Sequence, residues 1–138
     1  MFLSIDDLKT VSTENIIEDI LGGDDNIIED IVNDNIALMT DYLAVHYDCN
    51  AIFATEQKLR NRTILRYLKA MVLYDLYCST GHNENEMARQ RYEDALEWLQ
   101  QIRNGKQVIS NIEKLTDKNG DNSLFISAKS ERKYQSNF

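Results

Sequence analysis

Apolar residues recur along this chain at three- and four-residue steps, and that spacing predicts helices. The clearest pattern lies in residues 89–106, RQRYEDALEWLQQIRNGK. Ala88, Tyr92, Ala95, Leu99 and Ile102 fall on one helical face, and Leu96 and Trp98 widen it. Arg89, Arg91, Glu93, Asp94, Glu97, Gln100 and Gln101 take the wet side. Asn104 and Gly105 end the pattern, since both enter the left-handed conformation that closes a helix. The only tryptophan lies here, so this helix is expected to anchor the core.

Upstream, Ser4 and Asp7 have capping-box spacing, with Asp in place of the usual Glu, and predict a helical turn at 5–9. Ser12 or Thr13 would cap a second short helix, ENIIEDIL, stopped by Gly22 and Gly23. A third helix should start at Asp24 or Asp25 and run to about Val45, with Ile27, Ile28, Ile31, Leu38, Tyr42 and Val45 as its stripe. NIIEDI occurs at 15–20 and again at 26–31, a period of eleven shared by two amphipathic helices and too few copies for a solenoid. Residues 46–60 read as a connector, with 51–53 folding back on the core. Asn61 is the next cap, and 63–78 is apolar on nearly every side, which predicts a central helix. Gly81 breaks it, and Asn83 or Asn85 caps the helix described first. The turn is short, so the two helices should be antiparallel neighbours.

Past Gly105 the character changes. VIS and FIS flank the polar turn TDKNGDN, and Asn119-Gly120 is a hairpin signal. The extension, residues 107–138, reads as a hairpin pairing 107–115 with 123–129 or as a partly disordered arm. The predicted class is therefore all-α: a bundle of four to five helices over 1–106, then this extension.

A chain of 138 residues is about one domain and needs neither disulfide nor metal to hold a core. The net charge of −8 disfavours general nucleic-acid binding and anionic membranes. The N-terminus has no basic leader, and no apolar run has membrane-spanning length, so synthesis in the cytosol with reduced thiols is expected. The charge is uneven. Residues 1–50 hold twelve acidic residues and one basic, or −11; residues 51–138 hold eleven acidic and fourteen basic, or +3. This is either a solvated acidic face or one half of a contact between subunits.

Candidate chemistry is sparse. His46, Cys49, Cys78 and His82 form the ligand set of a zinc site, but the two pairs follow different helices. Sixteen helical residues would hold them about 24 Å apart. A buried Cys78 with loop histidines is the preferred reading, and no metal is expected. Asp117, Asn119, Asp121 and Ser123 alternate like a calcium loop, but Asn122 and Ala128 stand where the loop needs Gly and an acid. The doublets Asp24-Asp25 and Glu29-Asp30 fall at a helix start and on a solvated face. Tyr67, Tyr74 and Tyr77 have core spacing. No phosphate loop, nucleophile elbow or HExxH occurs, and no catalytic residue or cofactor is expected.

The start FLSIDDLKT with its paired Ile-Ile acidic helices, and RQRYEDALEWLQQIRNGK with its Arg-Tyr-Glu-x-Ala core and closing Gly-Lys, resemble a family of small proteins from Mu-like phages and prophages. The resemblance covers about residues 2–106. It implies a virion protein of the neck, a connector, adaptor or head-completion component with partners on the portal side and the tail side. It also implies a ring of identical subunits, made in the bacterial cytoplasm. It transfers no catalytic residue. Within such a ring, Arg132, Lys133 and Tyr134 of one subunit are expected to meet Asp24, Asp25, Glu29 and Asp30 of the next. The alternatives are a cytosolic helical adaptor and, at lower weight, a small metal-dependent enzyme.

Overall fold

The computed structural model describes residues 2–8, 25–79, 81 and 85–112. Within them the chain is all-α: α1 (Ile5–Leu8), α2 (Asp25–Leu43), α3 (Cys49–Ala54), a 3-10 turn (Gln57–Leu59), α4 (Arg62–Ser79) and α5 (Glu86–Arg103). No strand occurs among the described residues. The predicted ENIIEDIL helix and the hairpin beyond residue 112 lie outside them, and residues 107–112 run as coil and turn.

α4 is the central element. It packs against both α5 and α2 and touches α1. Eight of its side chains are buried, from Ile64 to Tyr77, as its nearly all-round apolar pattern requires. Asn61 starts it, its Oδ1 accepting the backbone N–H groups of Thr63 and Ile64, each at 3.0 Å. α5 runs antiparallel to α4, since Tyr67 stacks on Trp98 and Tyr74 on Tyr92. Asn85 caps α5 by accepting the Ala88 N–H at 3.0 Å. At its other end Gly105 N–H bonds Ile102 O and Lys106 N–H bonds Gln101 O, with Gly105 at φ 78°. That pair of bonds is the Schellman closure, and glycine fits it because no Cβ meets the preceding carbonyl.

α2 buries Ile28, Val32, Asn35, Met39 and Leu43, at steps of four, three, four and four. This differs from the expected stripe: Ile31, Leu38 and Tyr42 are only partly buried, and Val32, Met39 and Leu43, outside it, lie in the core. Ile27 and Val45 are about half exposed, and the polar Asn35 takes a core position. Asn35 Nδ2 donates both to Ile31 O at 2.9 Å and to Asp75 Oδ2 at 2.8 Å, so the burial is satisfied and fixes α2 against α4. Val45 is turned outward because the helix ends two residues earlier. Leu43 O accepts both His46 N–H and Tyr47 N–H, and the reversal drives His46 and Tyr47 inward.

The connector is more ordered than its sequence suggests. Asp48 Oδ1 accepts Ala51 N–H and caps α3, whose Cys49 and Ile52 point into the core. Phe53 meets Phe2 edge to face at 5.1 Å. The N-terminal segment is therefore part of the core: Phe2, Leu3 and Leu8 are fully buried. The chain beyond α5 also stays on the bundle. Ile109 is buried, its N–H donates to the Tyr47 hydroxyl at 2.9 Å, and Asn61 Nδ2 donates to Ser110 O.

Candidate subunit interface

The polar groups inside the bundle are occupied in holding it together. Arg60 reaches back to the N-terminal segment, donating from Nη1 to Asp7 Oδ2 at 2.7 Å, from Nη2 to Asp7 Oδ1, and to Phe2 O. Ser4 closes the box, its N–H and Oγ–H both donating to Asp7 Oδ2. Burial alone would raise the Asp7 pKa, but the Arg60 hydrogen bond, the two Ser4 donors and the Arg60 charge outweigh it and bring it to about 2. His46 bonds Arg103 O through Nε2 at 3.0 Å, which ties the end of α2 to the end of α5. The Arg103 guanidinium also lies 4.2 Å from the Tyr42 ring centre.

Cys78, expected to be buried, is exposed, and the buried thiol is Cys49. Cys78 lies near the end of α4. Cys49 instead faces inward from α3. Burial raises the Cys49 thiol pKa, and the Asp48 charge raises it further against a hydrogen bond with Thr40. A thiol held protonated in apolar surroundings is a packing group, not a nucleophile. His82 lies outside the described residues. Among those residues no group of three or more His, Cys, Asp or Glu could hold a metal.

What remains is surface, and its charge is sorted by helix. α2 has five acidic residues and no basic one. Glu29 and Asp30 are exposed on it, as expected; Asp25 opens the helix, while Asp24, Arg132, Lys133 and Tyr134 lie outside the described residues. The structure therefore brings together only part of the expected acidic patch. A second stretch has the opposite sign. Lys58, Arg62 and Arg66 are exposed, four residues apart, through the 3-10 turn and the first turns of α4. Lys58 and Arg62 line a cleft of about 760 Å³ beside α3 and the 110–112 segment, and Leu59 at its rim is 82% exposed. Arg66 and Arg91 line a smaller cleft of about 370 Å³ between α4 and α5, beside Tyr67. The four-residue spacing of Lys58, Arg62 and Arg66 is present in the sequence, but the apolar residues among them belong to the core pattern, which hides a cationic face.

α5 shows how exposed charges behave when they only solvate a face. Arg89 pairs with Glu86 one turn back, and Gln90 and Gln101 bond Asp94 and Glu97 at four-residue spacing. Such pairs are worth little. No helix among the described residues is long and apolar enough to cross a membrane.

The described residues thus form a small helical bundle whose acidic residues gather on α2 and whose exposed cations line two clefts beside α4. The particular lineage comes from sequence. The family described as Bacteriophage Mu, Gp36 matches residues 4–126, and this chain belongs to it. Comparison with curated proteins and with solved structures gives no match. The chain is thus an all-α phage protein.

Proposed function

We propose that this protein is a non-enzymatic structural component of the virion, acting at the head–tail junction as a connector, adaptor or head-completion subunit within a ring. Membership of the Mu phage family over 4–126 carries the reading. The sorted surface charge supports it, because a ring needs two different complementary faces on each subunit. The partners are the neck proteins on the portal side and the tail side, and no cofactor takes part. Within that ring the C-terminal tip, Arg132, Lys133 and Tyr134, is one candidate partner for the acidic start of α2 on the next subunit, motivated by the −11 and +3 halves of the chain.

The test is an induced Mu-like prophage with this gene deleted. Electron microscopy should show filled heads and separate tails, with infectivity restored by expression in trans. Labelled protein should localise to the neck of complemented particles. Joined, infective particles from the deletion would refute the role. Normal particles together with a host protein co-purifying on the α2 face would favour the cytosolic adaptor.

A further inference from the structure

Two exposed faces of this fold carry opposite charge along comparable lengths of helix. On α2, Ile27, Asp30, Asp34, Ala37 and Asp41 follow one another at steps of three and four residues, and all five are exposed. They form a single stripe about 21 Å long at the helical rise. The buried residues Ile28, Val32 and Met39 lie on the opposite side of the helix, against α4 and α5. The acidic stripe therefore points away from its own bundle. The cations Lys58 of the 3-10 turn and Arg62 and Arg66 of α4 continue across to Arg91 of α5, and the α4 part of the clefts they line runs from Arg62 to Leu73, about 17 Å along the axis. Two carboxylates, Asp48 and Asp94, sit among these four cations, so the band keeps a net positive charge. Among the described residues, neither Lys58 nor Arg62 forms an ion pair.

We infer that the cationic, cleft-bearing face of α4 receives the acidic α2 stripe of a second copy of this chain. The apolar members of each face complete the match: Leu59 projects at the rim of the larger cleft, and Ile27, 48% exposed, stands at the head of the acidic stripe. The contact uses different surfaces on the two partners. It is therefore heterologous, leaving one free face of each kind on every dimer and propagating until a ring or filament forms. Opposed charges spread along two helices align the partners and set their register more than they add affinity. This inference deepens the ring reading and rests on it for its setting. It is tested on purified protein, so its failure is distinct from failure of the virion role.

The experiment is sedimentation velocity on the full chain with three sets of reversals. Wild type should self-associate with concentration, and its apparent Kd should weaken at least tenfold between about 0.05 M and about 0.5 M salt. K58E/R62E/R66E and D30K/D34K/D41K should each lose association by at least about tenfold. Mixed in equal amounts, the two variants should regain it, because each then offers the face the other lacks. R132E/K133E should leave it intact. Unchanged far-UV circular dichroism and melting temperature certify the folds, and glutamine at the same positions replaces any reversal that fails this check. Three results would each overturn the inference: wild type monomeric at about 1 mM, no association in the mixture, or loss in R132E/K133E with none in the α4 variant. The last would assign the partner face to the C-terminal tip.

Discussion

The Asp7–Arg60 pair lends itself to a quantitative test, because it joins the first residues of the chain to the segment that starts the central helix. Both side chains are mostly buried, 16% and 17% exposed, and the contact is bidentate. The Asp7 pKa falls from 3.8 to about 2. A carboxylate with a depressed folded-state pKa stabilises the fold fully above its unfolded value. That contribution disappears as pH falls through the folded value. The window here is therefore from about pH 4 to about pH 2. At about 1.36 kcal/mol per pH unit, the difference between the two pKa values corresponds to about 2 kcal/mol of stability at neutral pH. This is an upper figure, since the pair keeps some exposure to solvent.

Asp7→Asn removes the titration while keeping the size and part of the hydrogen bonding. Urea unfolding followed by circular dichroism at pH 7, 4, 3 and 2 should show the variant about 2 kcal/mol less stable at pH 7, with the gap closing towards pH 2. The other carboxylates titrate alike in both proteins, so the gap isolates Asp7. A constant gap from pH 7 to pH 2 would mean that the loss is packing, not charge. No gap at all would mean that the N-terminal segment is not fastened through Arg60.

Other substitutions test the remaining joints. Trp98→Ala, which empties the site stacked against Tyr67 at 4.4 Å, should cost about 3–5 kcal/mol in the same assay. Tyr47→Phe leaves the buried Ile109 N–H without its acceptor and should cost about 1–3 kcal/mol, with faster hydrogen exchange at Ile109 by NMR. Gly105→Ala puts a Cβ where φ is 78° but where no atom lies within 4 Å, so the cost is conformational alone, about 1 kcal/mol by thermal unfolding.

The long helices were legible because each states its own limits. Asn61, Asn85 and Gly105 mark starts and a stop by local chemistry, and the α4 and α5 stripes are dense enough to fix which sides are buried. The connector was less legible, because α3 is only six residues long and depends on Asp48 and on Phe2, which lies far away in sequence. The inward place of Asn35 was illegible for a similar reason. An asparagine in an apolar stripe reads as an edge until its partner, Asp75, is known to sit opposite. Cys78 was misplaced because its neighbours Leu76 and Tyr77 are buried, and a pattern that is apolar nearly all round does not show which direction is outward.

The candidate interface divides along the same line. Its acidic half was visible from the sequence, since α2 carries no cation to offset its carboxylates. Its basic half was hidden, because total charge over residues 51–138 sums cations with very different duties. Arg60 is bound internally to Asp7, Arg89 to Glu86 and Arg103 to the Tyr42 ring. Among the cations that remain, Lys58, Arg62, Arg66 and Arg91 line two clefts, a smaller set but a spatially ordered one. Net charge by segment thus overstates how much positive surface a partner can meet and says nothing of its shape. A surface contact is specified by which charges the fold leaves over once its internal pairs are made, and here those residual charges are the acidic stripe of α2 and the cations beside the two clefts.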